Sequence, residues 1–294
     1  MPPRNLLICF DAFGTLFKPR YSIAQQYGDV ARSFGLSGFT NEDVTSSFKA
    51  TFKKESKQNP NYGKANGMNP EKWWTNIITN TFKPLIPPEQ AIPNGMVPNL
   101  LHRFWCDEGY TLFEDVQPLI KKLREAHQAE NTRVVIGVIT NSDDRVPDIL
   151  TSFGLKISPL RFGGHEAQSF VAAENEQYDI DFSIMSYDVG QEKPEKRIFE
   201  AAEEVLQTSL LRADEGRPDE WRKVYVGDEY EKDVVGALNA GWNSVLIDRE
   251  AAGQRQDLEW LDEKPVASLF EVFQHSRAVG FSSLDKLAQW LPSR

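Results

Sequence analysis

The chain has 294 residues, of which 40% are hydrophobic and 26% are charged. These values are typical of a globular protein and exclude a chain that is disordered throughout. The 43 acidic residues outnumber the 33 basic residues and leave a formal charge of −10. We therefore expect no nucleic-acid partner and no binding to an anionic membrane, because either would need an attraction to negative charge.

The longest apolar runs, residues 6–10 and 134–139, are far shorter than the roughly 20 residues that a membrane-spanning helix needs. The N-terminal residues lack the apolar segment of a secretory signal. The two cysteines, Cys9 and Cys106, form no disulfide framework and no metal cluster. These features predict a protein of the cytoplasm whose two thiols are reduced and buried. The histidines show no metal-ligand spacing; they are His102, His127, His165 and His275.

Five short apolar runs predict the strands of a sheet. Each run is continuous rather than alternating, which is typical of strands that are buried on both faces of a parallel sheet. Helical patterns lie between several of these runs. The sequence therefore predicts an α/β fold with a doubly wound parallel sheet. The five runs are residues 6–10, 134–139, 182–185, 224–226 and 244–247.

A long segment between the first two strands, residues 17–115, has a different pattern. Its apolar residues recur at intervals of three or four, which predicts amphipathic helices. Thr40 and Asn69 are typical residues for the start of a helix, because their side chains can accept hydrogen bonds from unpaired backbone N–H groups. We therefore expect an inserted helical domain over residues 17–115 and a core domain built from residues 1–16 and 116–294.

Polar residues that suit a catalytic site lie beyond these strands. Asp11 comes directly after the first strand, Thr140 ends the second, and Asp228 and Asp233 follow the fourth. Lys193 precedes a predicted helix. Open α/β sheets bind ligands at the carboxyl ends of their strands, so these residues are candidates for a site. Taken singly, each also fits a structural role, such as a turn or the start of a helix.

These residues form four groups in chain order: Asp11, then Thr140, then Lys193, then Asp228 with Asp233. The four groups resemble, in this order, the four motifs of the haloacid dehalogenase superfamily of aspartate-nucleophile hydrolases. By this resemblance Asp11 matches the nucleophile, Thr140 the hydroxyl of the second motif, and Lys193 the cation of the third. Asp228 and Asp233 match the acidic pair of the fourth motif. The resemblance implies the strand order 5-4-1-2-3 and identifies the helical segment as a cap domain inserted after the first motif.

Residues 59–63 and the pair Trp73 and Trp74 resemble a eukaryotic branch of this superfamily. The branch includes the rhythmically expressed gene product and the HAD-like hydrolase domain-containing proteins. In such an architecture the cap selects the substrate and excludes water. Tyr62 is a candidate for this role because it lies in a predicted loop, whereas Trp74 is expected in the core of a helical domain.

The three carboxylates of the resemblance would repel one another if they met at one edge of the sheet. A pair about 4 Å apart repels by roughly 4 kcal/mol at an effective dielectric constant near 20. A magnesium ion relieves this repulsion, since it binds one or two carboxylates together with water and a substrate phosphate. We expect Mg²⁺ to bind Asp11, Asp228 and the backbone carbonyl of Phe13, with Asp233 in a supporting position.

The reaction that the resemblance implies is the transfer of a phosphoryl group from a small molecule to Asp11. Lys193 would neutralise the nucleophile and the transferred group, and Thr140 would donate a hydrogen bond to it. Further contacts with the substrate are expected from Gly14, Thr15, Arg20, Tyr62 and Asn141.

Phe13 is a departure from the phosphatases of the superfamily, which usually carry a general acid and base Asp at this position. An aromatic residue here resembles the 2-haloacid dehalogenases, in which a halide leaves without a proton and an arginine, here Arg20, binds the substrate. Those dehalogenases lack the metal-binding Gly-Asp pair that this chain keeps at Gly227 and Asp228.

Three functions follow from these mixed features. They are a magnesium-dependent hydrolase of a phosphorylated small molecule, a haloacid-type dehalogenase, and a non-catalytic relative that binds a metabolite or a protein. The joint presence of Asp11, Lys193 and Asp228 favours the first, because a buried cluster of charges is unfavourable unless it serves a function. The oligomeric state stays open.

Overall fold

The computed structural model describes residues 5–129, 133–164, 177–211, 217–250 and 255–291. By their internal contacts the residues divide into two units. Unit 1 comprises Met1–Phe17, Leu112–Asn141 and Leu155–Arg294, and unit 2 comprises Lys18–Thr111 and Ser142–Gly154. The two changes of unit near residues 17 and 111 lie within four residues of the expected domain boundaries. Residues 142–154, which the sequence places in the core domain, group with unit 2.

The strands carry most of the apolar runs that the sequence contains. In β1, β4 and β5 every residue is buried, as expected for strands covered on both faces. The strands of the described chain are β1 Leu6–Phe10, β2 Phe17–Pro19, β3 Tyr110–Leu112, β4 Val134–Thr140, β5 Phe182–Met185, β6 Arg222–Gly227, β7 Asn243–Ile247, β8 Glu259–Trp260 and β9 Ala278–Phe281.

Unit 1 contains a seven-stranded sheet in the order β5-β4-β1-β6-β7-β9-β8, and every neighbouring pair is parallel. This confirms the predicted α/β class. Numbered one to five in chain order, the expected strands are β1, β4, β5, β6 and β7, and they lie side by side in the predicted order 5-4-1-2-3, counted from β7 to β5. The expectation of five strands is incomplete, because β9 and β8 extend the sheet beyond β7. At the centre, Cys9 of β1 pairs with Gly137 of β4 and Tyr225 of β6.

The helices fall into both units. Unit 1 holds α5, α7 to α11 and a π-helical turn over Tyr230–Val235, and unit 2 holds α1 to α4 and α6. The helices are α1 Ile23–Ser33, α2 Asn41–Gln58, α3 Pro70–Phe82, α4 Met96–Arg103, α5 Val116–Ala129, α6 Val146–Ser152, α7 Ser186–Val189, α8 Arg197–Val205, α9 Gly236–Asn239, α10 Leu269–Val272 and α11 Leu284–Trp290.

Unit 2 is helical, as the sequence predicts. The Thr40 side chain accepts a hydrogen bond from the backbone N–H of Asp43, whose carboxylate accepts one from Thr40 N at 2.8 Å. Asn69 caps α3 with one such bond, since its side-chain oxygen accepts from Lys72 N at 2.9 Å. Both predicted helix starts are therefore confirmed. Among the described residues, no helix is both long enough and apolar enough to cross a membrane.

Candidate active site

The loop after β1 is the first part of the site. Asp11 is 6% exposed, and its backbone N–H donates to the carbonyl of Val226 in β6 at 2.8 Å. Gly14 adopts a left-handed conformation with φ of +86°, which is readily available to glycine. A Cβ atom at Gly14 would lie 2.2 Å from Oδ2 of Asp228. The backbone of this loop is therefore packed directly against the second acidic residue of the site.

Lys193 lies at the centre of the charged group. Its Nζ atom is 2.7 Å from Oδ1 of Asp11 and 2.7 Å from Oδ1 of Asp233. Nζ also donates to the hydroxyl of Tyr225 at 2.8 Å, and that hydroxyl donates to the carbonyl of Ile139 at 2.6 Å. Burial lowers the pKa of Lys193, but Asp11 and Asp233 outweigh burial and raise the pKa above its usual value. The amine is therefore a permanent cation at neutral pH.

The backbone of Lys193 is held by Asn141, which follows β4. The side-chain oxygen of Asn141 accepts from Lys193 N at 2.7 Å, and its amide nitrogen donates to Lys193 O at 3.0 Å. Thr140 ends β4 and is 1% exposed. The side chain of Asn141 thus fixes the backbone of Lys193 at the end of β4, while its predicted contact with the substrate stays a prediction.

Asp228 and Asp233 lie beyond β6. Oδ1 of Asp228 accepts a hydrogen bond from the hydroxyl of Thr15 at 3.2 Å, and Oδ2 of Asp233 accepts one from Glu229 N at 2.8 Å. Burial, together with the charges of Asp11 and Asp233, raises the pKa of Asp228 to about 7. Ionisation of Asp228 is thus unfavourable in this surrounding unless further positive charge is present.

A divalent cation fits the donor set of this cluster. Asp11, Asp228 and Asp233 offer carboxylate oxygens that all lie within 4.8 Å of one another. Three carboxylates and the single ammonium of Lys193 leave a formal charge of −2 when all four are ionised. Carboxylate oxygens are the ligands that Mg²⁺ prefers. Both oxygens of Asp233 already accept from protein N–H groups, so Asp11 and Asp228 are the better placed ligands.

Phe13 and the candidates of unit 2 have different surroundings. Phe13 is half-buried, and its ring packs edge-on against Phe17 with the centroids 4.7 Å apart. Arg20 is exposed and donates to the backbone carbonyl of Asp107 at 2.9 Å. Tyr62 has a φ of +57°, which is strained for a bulky residue, and its ring packs against Trp73 at 5.0 Å. Arg20 and Tyr62 lie in unit 2 and the four motif groups in unit 1.

Two groups of buried polar residues were not found by sequence reasoning. Tyr225 was recognised only as part of an apolar strand, although a buried tyrosine needs a partner for its hydroxyl. Trp74, which was expected in the core, is only half-buried and donates its indole N–H to Asp143 at 2.6 Å. Asp143 also accepts from Nε of Arg145 at 2.7 Å, and the Arg145 guanidinium lies 4.3 Å from the centre of the Trp74 ring.

A second group of possible metal ligands lies in unit 2 and includes a cysteine and a histidine. His102, Cys106 and Glu108 offer ligand atoms within 4.8 Å of one another. The side chains of His102 and Glu108 are 70% and 48% exposed, and Glu108 also faces Arg103 at 3.6 Å. Since the carboxylate already has a cation beside it and the group is open to solvent, we assign no ion to it.

The two cysteines differ from each other in their surroundings. Cys9 is fully buried in β1, as predicted, whereas Cys106 is half-buried in the turn after α4 and not in a helix or the core. Both thiols are free. His165 and the side chain of His127 lie outside the described residues.

Comparison with known proteins gives the same family as the motifs. Residues 6–241 match the family model of haloacid dehalogenase-like hydrolases. The chain is 28% identical to haloacid dehalogenase-like hydrolase domain-containing protein 3 of Danio rerio, over 90% of this chain and 93% of that protein. It is 29% identical to the rhythmically expressed gene 2 protein of Drosophila melanogaster, over 83% of each chain.

A solved structure shares the fold. The defluorinating L-2-haloacid dehalogenase Rha0230 superposes with a TM-score of 0.59 at 15% identity, covering 98% of this chain and 96% of that one. At this identity the likeness shows the fold alone. The family match, which spans most of the chain, and the two relatives together show that the protein belongs to the haloacid dehalogenase-like hydrolases, in the eukaryotic branch that contains these two relatives.

Proposed function

We propose that this hydrolase removes the phosphoryl group from a small molecule, with Asp11 as nucleophile and Mg²⁺ as cofactor. The observation that supports this most directly is Lys193, which lies 2.7 Å from both Asp11 and Asp233 while Asp228 completes the acidic cluster. We also propose that unit 2 is a cap that selects the substrate. The free thiols of Cys9 and Cys106 suit the reducing cytoplasm, where we propose that it acts.

In this proposal Asp11, Asp228 and the backbone carbonyl of Phe13 hold the ion, and Asp233 orients Lys193. Bound Mg²⁺ neutralises charge on the phosphoryl oxygens. A carboxylate oxygen of Asp11 forms a bond to phosphorus while the bond from phosphorus to the leaving-group oxygen breaks. Water then attacks the phosphorus of the aspartyl-phosphate, which releases inorganic phosphate and restores the Asp11 carboxylate. Lys193 stays protonated and offsets the negative charge at Asp11 throughout.

The side chain at position 13 limits the substrates that the proposal allows. A leaving alkoxide needs a proton as it departs, and the ring of Phe13 cannot supply one. A carboxylate that leaves from an acyl phosphate needs no such proton. We therefore propose acyl or similarly activated phosphates as the preferred substrates. The same feature supports a second candidate, haloacid dehalogenation, in which Asp11 attacks the carbon and a halide leaves.

Magnesium binding should depend on pH through Asp228. Because its pKa of about 7 exceeds the ordinary value of 3.8, the folded protein holds a proton there that the ion must displace. Below about pH 7, the apparent affinity should fall by up to about tenfold for each unit of pH, as for one displaced proton. Calorimetry of Mg²⁺ binding without substrate, in buffers of different ionisation enthalpy, measures both the affinity and the proton release.

The groups that face Asp228 are Asp11, Asp233, Glu229 and Thr15. Asp228→Asn should abolish both the binding and the proton release. The metal-free protein should also lose stability as the pH rises from about 4 to about 7, since the unfolded chain gives up this proton at lower pH. A Mg²⁺ affinity that stays constant between about pH 6 and about pH 8 would contradict the assignment of Asp228 as a ligand.

Replacement of Phe13 tests the choice of reaction. A positioned general acid contributes typically about 10² to 10⁴ in rate. We expect Phe13→Asp to raise kcat/KM on an alkyl phosphate by at least about tenfold and to change acetyl phosphate turnover by less than about threefold. Phe13→Leu is the control, since it removes the ring without adding a carboxyl group.

The outcomes of this comparison separate the candidate functions. A folded Phe13→Asp variant that gains nothing on the alkyl phosphate would count against phosphatase chemistry. Release of chloride from 2-chloropropionate by the unmodified protein in the presence of a chelator would support the dehalogenase. Binding of phosphate without turnover of either class of substrate would support a non-catalytic relative.

A further inference from the structure

A network of buried polar groups in unit 1 joins the loop after β1 to distant parts of the chain. Arg249, two residues beyond β7, donates from Nη1 and Nη2 to the two carboxylate oxygens of Asp115, at 2.8 and 2.9 Å. Nη2 also donates to the backbone carbonyl of Thr15 at 3.0 Å. The side chains of Arg249 and Asp115 are 17% and 7% exposed, so water competes little for these hydrogen bonds.

The partners of Arg249 are themselves held in place. Oδ2 of Asp115 accepts a hydrogen bond from Leu284 N at the start of α11, at 2.9 Å. The guanidinium lies 3.7 Å from the centre of the Phe113 ring, and Phe113 N donates to Leu16 O at 3.0 Å. A guanidinium donates in fixed directions. Arg249 therefore holds the Thr15 carbonyl at a defined position relative to the segment with Phe113 and Asp115, the start of α11 and its own segment beyond β7.

Thr15 in turn contacts Asp228. The Thr15 hydroxyl donates to Oδ1 of Asp228 at 3.2 Å, and the preceding residue, Gly14, approaches the same carboxylate so closely that a Cβ atom has no room. A shift of the Thr15 backbone would thus move the hydroxyl that donates to Asp228 and would separate Gly14 from the Asp228 carboxylate. Groups in such close contact transmit small displacements rather than absorbing them.

We propose that Arg249 is a positioning residue for the magnesium ligand Asp228 and acts through Thr15. The identity of the ion rests on the proposed function, while the residue itself lies outside the four motifs. Groups that orient metal ligands change metal affinity by about 10- to 100-fold when they are replaced. Arg249 is linked to Asp228 by two successive hydrogen bonds, one to the Thr15 carbonyl and one from the Thr15 hydroxyl. We therefore expect an effect at the lower end of that range.

Arg249→Lys is the test variant, because lysine keeps the charge but cannot donate to both oxygens of Asp115 and to Thr15 in these directions. We expect the Kd for Mg²⁺ to rise about tenfold, measured by calorimetry without substrate. The matched control is Arg161→Lys, since Arg161 also donates twice to a carboxylate of unit 1, that of Asp188 at 3.0 and 2.6 Å. The control should lower the Tm without changing the Kd.

A second variant, Thr15→Val, tests the route. It removes the hydroxyl that reaches Asp228, and we expect Arg249→Lys to weaken Mg²⁺ binding much less in this background, because coupled residues give non-additive effects. Fully additive effects would overturn the route through Thr15. An Arg249→Lys variant that loses Tm like the control while its Kd stays unchanged would overturn the positioning role.

Hydrogen exchange on the metal-free protein separates this proposal from the proposed function. If Arg249 holds the loop, peptides that cover residues 11–17 should exchange faster in Arg249→Lys and unchanged in Arg161→Lys. Unchanged exchange in both variants would overturn the positioning role, whether or not the ion binds. A failure of the unmodified protein to bind Mg²⁺, with faster exchange in Arg249→Lys, would refute the metal assignment and leave the hold on the loop intact.

Discussion

Asp11→Asn should lower the turnover of acetyl phosphate by at least about 10⁴-fold, because removal of a covalent nucleophile leaves only binding and electrostatic stabilisation. The amide is close in size to the carboxylate but is a poor nucleophile. In the unmodified enzyme, rapid quenching followed by peptide mass spectrometry should find one phosphoryl group on the peptide that contains Asp11. The variant should show none.

The control for this substitution is Asp188→Asn. Asp188 is also a largely buried carboxylate of unit 1, at 10% exposure, and pairs with Arg161 rather than with Lys193. We expect it to change stability but not turnover. If folded Asp11→Asn kept a tenth or more of the activity, covalent catalysis at position 11 would be wrong.

Lys193→Met should strongly destabilise the metal-free protein. Lys193 is 4% exposed and neutralises Asp11 and Asp233 at once, so its removal leaves two buried carboxylates without the cation that neutralises them. Breaking a buried ion pair in this way costs about 3 to 5 kcal/mol of unfolding free energy. Denaturant unfolding at neutral pH in the presence of a chelator measures the loss, and turnover should be abolished as well.

Two comparisons make this prediction specific. Lys264 pairs with Glu259 at 2.6 Å in the same unit, but its side chain is 49% exposed, and Lys264→Met should cost about 1 kcal/mol or less. The deficit of Lys193→Met should also shrink as the pH falls, because the unpaired carboxylates of the folded variant take up protons more readily than those of the unfolded chain. An equal loss in both variants, or a deficit that does not change with pH, would contradict the account.

Much of the fold is visible in the sequence because burial on both faces of the sheet requires continuous apolar runs. The strand containing Leu6 to Phe10 was predicted with its observed bounds. The outer strands β8 and β9 were missed for physical reasons. The strand Glu259–Trp260 is too short to show a pattern. In β9 the apolar run is interrupted by Gly280, where the Trp260 ring leaves no room for a side chain.

The candidate site, too, could be predicted from the sequence only in part. The order of the motifs was enough to single out Asp11, Lys193, Asp228 and Asp233, which the structure brings together. The partners of these residues could not be predicted, because a hydrogen bond such as that from Lys193 to Tyr225 joins positions 32 residues apart in sequence. Nothing in the local pattern around Tyr225 shows which group its hydroxyl meets.

The paired hydrogen bonds between Asn141 and the backbone of Lys193 have a consequence for how this enzyme can vary. Lys193 belongs to a connection between secondary-structure elements, where insertions and deletions are ordinarily tolerated. Asn141 imitates a neighbouring strand and gives that connection a fixed point on the end of β4. The segments on either side of Lys193 can therefore change in length or sequence while the ammonium group stays at the same position beside the sheet.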